Sequence, residues 1–352
     1  MNRVLNVGLI GYGMAGQTFH APIISAIPGL KLKTVVERTS AKSKEHYPWV
    51  KVVPDPQAVL EDETIDLVVI ATPNATHFEL AKQALLRGKH VVVEKPFTVT
   101  YQEAKELIDL ARQQNLRLSV YQNRRWDGDF ITVKRVLENH WLGRITEYEA
   151  HFDRYRNALK PNTWKEKVLP GSGIVYDLGS HLLDQAQMLF GLPQSITADI
   201  RSQRDGTEVE DNFEIILAYT ESLKVTLKAG MLVRELGPHF MLHGTQGSFV
   251  KYGLDPQESA LKRGLRPQDD PHWGTEPEAQ WGKLNAEIAG LHFQGNIETT
   301  PGDYRSYYKN VYEAIVSQED LFVKPEQARN TIRMIELAIE SNHLKKTLEF
   351  TE

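Results

Sequence analysis

Three glycines within six residues give this chain a place to hold a pyrophosphate. In Gly11-Tyr12-Gly13-Met14-Ala15-Gly16 the first glycine permits a tight turn and the second lets the backbone approach phosphate oxygens. The third lets a helix pack closely on the preceding strand. A helix opening there offers unpaired N–H groups and partial positive charge to an anion. A bare G-x-G-x-x-G is weak, but this one follows the apolar run Val4–Ile10 and precedes a helical pattern, the context a dinucleotide site needs. Glu37 stands roughly twenty residues further on, where a carboxylate holds the adenosine ribose hydroxyls and repels a 2′-phosphate. That argues for NAD. Arg38, beside it, would bind that phosphate or stack on adenine, which argues for NADP. The balance of the two leans to NAD, with NADP open.

A second pair of residue types suits proton transfer. Oxidising a secondary alcohol takes a base for the hydroxyl proton while hydride leaves the same carbon. The reference pKa of a histidine lies near neutrality, which makes His181 the natural base. Asp177 precedes it by four positions and shares its face if both lie on one helix, so it could orient the imidazole or bind a substrate hydroxyl. Taken alone, such a pair is most often an ordinary helix-surface contact. With Asp184 the two could ligate a metal, yet no H-E-x-x-H or comparable signal accompanies them and no metal is expected.

Further motifs stand at strand ends. Ala71-Thr72-Pro73-Asn74, followed by His77, and Glu94-Lys95-Pro96-Phe97 each close an apolar run, where parallel sheets place their ligands. Tyr121-Gln122-Asn123-Arg124-Arg125-Trp126-Asp127 and the stretch from Gly173 to His181 come later. This ordered set resembles the Gfo/Idh/MocA oxidoreductase family over nearly the whole chain. The stretches Asn123–Asp127 and Tyr176–Gln185, with Gly244, 248–253 and 255–258, are similar to the branch that holds NADP-dependent scyllo-inositol dehydrogenases. Glu37 departs from that branch, whose NADP-using members tend to carry a small or basic residue there.

The resemblance implies a catalytic trio of Lys95, Asp177 and His181, with Lys95 stabilising a developing alkoxide, and a cis Lys95–Pro96 bond. Cofactor contacts are implied for Gly11, Tyr12, Gly13, Met14, Ala15, Gly16, Glu37, Arg38, Thr72, Pro73, Asn74, His77, Glu94, Lys95 and Pro96. Substrate contacts are implied for Asn123, Arg124, Trp126, Tyr155, Asp177 and His181. Read without the family, Trp126 suits packing better than substrate stacking, and His77 is as well suited to structure as to a cofactor. The activity implied is NAD(P)-dependent interconversion of a cyclic polyol or sugar hydroxyl and its ketone. The alternative is an inactive NAD(P)-binding sensor on the same fold, which would have no chemical need of the trio. Reduction of a tetrapyrrole or imine suits these polar residues less well.

The elements that must carry these residues fall into two parts. Short apolar runs alternate with helical patterns through about residue 120, the mark of a parallel α/β sheet. After a helix over about 125–139, longer alternating strands follow at 145–152, 194–201, 213–219, 223–232 and 240–242, with helices at 304–317 and 325–342. The expected fold is an N-terminal Rossmann doubly wound parallel sheet plus a C-terminal α+β domain with a large, mostly antiparallel open sheet. The expected division is 1–121 for cofactor binding and 122–352 for substrate binding and oligomerisation. Residues 255–301, rich in Pro, Gly, Gln and charge, read as a long surface excursion.

At 352 residues the chain exceeds one ordinary core, which agrees with two domains. A net charge of −5 without basic blocks argues against nucleic acid. The chain contains no cysteine, which excludes disulfides and thiolate chemistry. No run is long enough to span a bilayer and no leader pattern precedes Val4, so a cytoplasmic location is expected. An open sheet face suggests a partner, and the family resemblance implies a homodimer or homotetramer through the C-terminal sheet. Val225, Leu227, Ala229 and Met231 are candidates for one face of that sheet.

Overall fold

Leu5–Ile10 (β1) is apolar at nearly every position and takes the centre of a parallel sheet, where both faces are covered. The computed structural model describes residues 3–159 and 166–351. Around β1 lie Leu30–Val36 (β2), Lys51–Val53 (β3), Leu67–Ile70 (β4), His90–Val93 (β5) and Leu118–Val120 (β6). Their order is β3-β2-β1-β4-β5-β6, parallel throughout. This is the doubly wound arrangement expected. β3 was not expected: three residues carry too little periodicity to be read. The strand order reverses between β1 and β4, so Gly11 and Ala71 leave the sheet at the switch point where ligands bind.

Local chemistry sets the connecting helices. Thr100 and Glu103 form a reciprocal capping box that starts the helix Tyr101–Gln113. Gly88, at φ +71, ends the helix His77–Leu86 as a left-handed cap.

By contact the chain divides into two units. The first holds Met1–Trp126, Pro256–Trp273 and Asp303–Arg329; the second holds Asp127–Asp255, Gly274–Gly302 and Asn330–Glu352. The chain therefore crosses more often than a single division near residue 121 implies. In the first unit the helix Arg305–Val316 buries Tyr307, Tyr308, Val311 and Ile315 in the core that also takes Leu5, Val7 and Leu9.

The second unit is built on a mixed sheet, mostly antiparallel. Its strands are Ile145–His151 (β7), Ser195–Arg201 (β8), Asn212–Ala218 (β9), Lys224–Gly230 (β10), Phe240–Gly244 (β11), Gly247–Lys251 (β12), Gly282–Ile288 (β13), Leu291–Ile297 (β14) and Leu348–Glu349 (β15). The order is β14-β13-β12-β11-β7-β10-β9-β8-β15, with β7 and β10 parallel. Val225, Leu227 and Ala229 are fully buried within the chain itself, so their face is the covered one, and Met231 lies beyond the strand. Along the opposite face run ion pairs such as Lys224–Glu147 at 2.6 Å and Lys228–Glu149 at 2.9 Å.

The surface excursion expected over 255–301 is not one. It contains the helix Gln257–Lys262 and the β13–β14 hairpin, whose residues Leu284 and Ala286 are buried. Both of its turn residues, Ala289 and Gly290, have positive φ. Ala is a poor sequence signal for that conformation, which normally selects Asn or Gly.

Candidate active site

The glycine loop fits a dinucleotide. Gly11 adopts φ +101, and a Cβ there would meet the Ala71 carbonyl oxygen at 2.5 Å. A Cβ at Gly16 would fall 2.2 Å from the Gly11 oxygen, so the helix packs on the turn only with glycine. Around Gly13 a Cβ would meet nothing within 4 Å. That opening is the approach a pyrophosphate requires. The helix over 14–25 follows directly, and its turn Gly16–His20 is π-helical, a variant often found at functional positions. Tyr12 is buried, while Met14 is exposed.

Glu37 ends β2 with its carboxylate turned onto its own loop. Oε2 accepts from the Ser40 hydroxyl at 2.6 Å and the Lys42 N–H at 2.8 Å; Oε1 accepts from the Ser43 N–H at 2.9 Å. Burial opposes the charge, but these donors outweigh it and hold the carboxyl below its ordinary value. Three of roughly four acceptor positions are thereby used. Arg38, Thr39 and Ser40 are exposed.

Two motif loops meet at His77. Its Nδ1 lies 2.9 Å from the Pro96 oxygen and its Nε2 2.9 Å from the Thr72 oxygen. Burial pushes the imidazole below its ordinary value, against the pull of the two carbonyls. His77 is fully buried and ties the Thr72-Pro73-Asn74 loop to the Lys95–Pro96 turn, a bond that is cis. Pro73 is exposed and Asn74 buried. Lys95 is half-buried at the end of β5, and its N–H donates to Glu94 Oε2 at 2.7 Å.

The turn Asn123–Trp126 also belongs to the first unit. Arg124 is buried and ion-paired with Glu258. Burial raises that carboxyl, but Arg124 and Lys262 prevail and bring it to about 2. Trp126 packs edge-on to Tyr307 at 5.7 Å and against Phe322 at 5.1 Å, which matches a packing role. Asn123 is buried nearby in sequence.

Asp177, His181 and Tyr155 lie in the second unit. A continuous helix over 174–190 carries the first two, but Asp177 sits in a π turn, Val175–Gly179, and His181 in the α-helical part Ser180–Phe190. Asp177 is half-buried and His181 buried, its ring edge-on to Phe152 at 6.1 Å. Tyr155 is exposed, with the Arg234 guanidinium 4.0 Å above its ring. The helix entry passes through Gly173 at φ +95, the left-handed region that favours glycine, with the Glu210 carboxylate lying over it. Burial pushes that carboxyl up against the opposing Val175 N–H. Glu210 carries no motif of its own and was not anticipated. Nor was His20, and Glu258 was noted only within the 255–258 stretch, with no role.

Among the described residues no three His, Asp or Glu side chains gather to hold a metal, and no helix is long and apolar enough to cross a membrane.

Comparison with known proteins gives the family. Residues 5–122 match the oxidoreductase family's NAD-binding Rossmann fold, and residues 134–350 its C-terminal alpha/beta domain. The chain is 45% identical over 349 residues to the uncharacterised oxidoreductase YdgJ of Escherichia coli (strain K12), covering 99% of each. It is 36% identical over 344 residues to scyllo-inositol 2-dehydrogenase (NADP(+)) IolW of Bacillus subtilis (strain 168), covering 98% of this chain and 95% of that one. A crystal structure of an oxidoreductase from Bacillus cereus superposes with a TM-score of 0.91 at 36% identity, covering 99% of both chains. The chain belongs to the Gfo/Idh/MocA oxidoreductase family.

Proposed function

We propose that this protein is an NADP-dependent dehydrogenase that interconverts a hydroxyl of a cyclic polyol, with an inositol as the first candidate, and its ketone. The observation that carries the reading is the near full-length match to a relative named as a scyllo-inositol 2-dehydrogenase. The presence in this chain of Lys95, Asp177 and His181 supports it. Bound nicotinamide supplies the hydride acceptor or donor. His181 takes the hydroxyl proton in oxidation and returns it in reduction. Asp177 orients the imidazole or a substrate hydroxyl, and Lys95 offers positive charge to the developing alkoxide.

The preference for NADP rests on Glu37. A carboxylate already held by Ser40, Lys42 and Ser43 is a poor receiver of ribose hydroxyls, and it shapes a loop that presents Arg38 to solvent. A guanidinium there suits a 2′-phosphate. The homodimer or homotetramer expected of the family would use the open, ion-paired face of the second sheet.

Initial rates of reduced-nicotinamide formation with NAD or NADP, and scyllo-inositol, myo-inositol or glucose, test the assignment. Turnover of one polyol, faster with NADP, is expected. Cofactor binding without turnover in either direction on any of them would favour the sensor reading.

A further inference from the structure

A buried histidine outside the expected site joins the cofactor-loop helix to the lysine turn. His20 has no solvent exposure and lies at the end of the π turn that begins at Gly16. Its Nε2 is 3.1 Å from Glu94 Oε1, and its Nδ1 is 2.6 Å from the Tyr308 hydroxyl. The Tyr121 ring lies against the imidazole at a 44° tilt, with centroids 4.4 Å apart. Glu94 spends its other oxygen on the N–H of Lys95, at 2.7 Å. A single chain of contacts thus runs from Tyr308 through His20 and Glu94 to the backbone of Lys95, all inside the first unit.

The polarity of the chain follows from the groups. Burial opposes ionisation of Glu94, yet His20 and the neighbouring Lys95 hold its carboxyl below the ordinary value. An ionised carboxylate only accepts, so His20 donates through Nε2–H. Burial pushes the Tyr308 phenol well above its ordinary value, so it keeps its proton and shares a hydrogen bond with Nδ1. Both ring nitrogens are then used, and the imidazole has one orientation. Glu94 in turn has one orientation, with one oxygen on each partner.

We propose that His20 is a positioning residue for Lys95: it pins Glu94, and through Glu94 the backbone from which the Lys95 side chain projects. The proposal rests on the assignment of Lys95 to alkoxide stabilisation. It explains why a histidine is held at no exposure beside a carboxylate that a simple packing role would not call for. It also gives the glycine-loop helix a mechanical link to the lysine turn.

The test compares His20→Leu, His20→Gln and Tyr308→Phe in the full-length protein, using NADP+ and the polyol that the wild type oxidises. Gln places a donor near the position of Nε2 and keeps the bond to Glu94; Leu removes it. Displacing a charged group by about an ångström costs up to roughly 100-fold in rate. His20→Leu should therefore lower kcat by about 10- to 100-fold, with the dissociation constant for NADP+ within about threefold of wild type. His20→Gln should recover to within about fivefold, and Tyr308→Phe should fall between the two. Tyr308→Phe, which removes one oxygen, keeps the test available if His20→Leu does not fold. Unchanged kcat in His20→Leu, or equal losses of kcat and NADP+ affinity in both His20 variants, would overturn the proposal.

Hydrogen exchange of the Lys95 amide separates this proposal from the dehydrogenase assignment. If the wild type oxidises no polyol, that assignment fails, but the latch still predicts at least about tenfold faster Lys95 N–H exchange in His20→Leu and recovery in His20→Gln. No change in exchange would overturn the latch.

Discussion

Glu37 Oε1 accepts the backbone N–H of Ser43 at 2.9 Å, so the carboxylate at the end of β2 faces the loop that follows it. A residue type that marks NAD in a sequence also holds its own loop together here.

On the proposed reading, cofactor choice depends on Arg38. Arg38→Ala should weaken NADP+ binding by about 10- to 100-fold and change NAD+ binding by less than about threefold, as expected for a lost guanidinium–phosphate contact. Titration of each cofactor by intrinsic fluorescence checks it. Equal effects on the two cofactors would remove Arg38 from phosphate recognition.

The glycine loop separates folding from binding at two positions. A Cβ at Gly16 would press on the Gly11 carbonyl oxygen, whereas one at Gly13 meets no protein atom within 4 Å. Gly16→Ala should destabilise the protein by about 1–3 kcal/mol through overpacking. Gly13→Val should leave the melting temperature within about 2 °C yet lower affinity for either cofactor at least roughly 100-fold, because the side chain occupies the pyrophosphate approach. Thermal unfolding and cofactor titration of the two variants would show opposite patterns.

Acid sensitivity should trace in part to Glu258. Its folded-state value of about 2 lies below its ordinary value of 4.5. The group thus adds stability above about pH 4.5, and that stability is lost as the pH falls toward about 2. The shift corresponds to an order of 3 kcal/mol at neutral pH. Urea unfolding at pH 7, 4 and 3 should show a shallower decline in Glu258→Gln than in wild type. Parallel declines would assign the acid limb elsewhere.

The parallel sheet was legible because β1, β4 and β5 are largely buried on both faces and read as nearly unbroken apolar runs between glycines and helices. The strand pair β13–β14 was not. β14 is exposed at most positions, and Ala289 occupies a turn position that sequence patterns reserve for Asn or Gly. The helix over 174–190 was visible as a motif, but its π turn leaves no mark in residue spacing. The orientation of Glu37 could not be read either, since it depends on where Ser40, Lys42 and Ser43 point their N–H and O–H groups. His20 and Tyr308 are 288 positions apart, and only the fold brings them together.

Replacing His181 tests the central claim most directly. With the best polyol and NADP+, His181→Ala should lose at least about a thousandfold in kcat while the cofactor dissociation constant stays within about threefold, as for a proton-transfer group absent from cofactor binding. Retained turnover, or an equal loss of turnover and cofactor affinity, would contradict the assignment of His181 as the base.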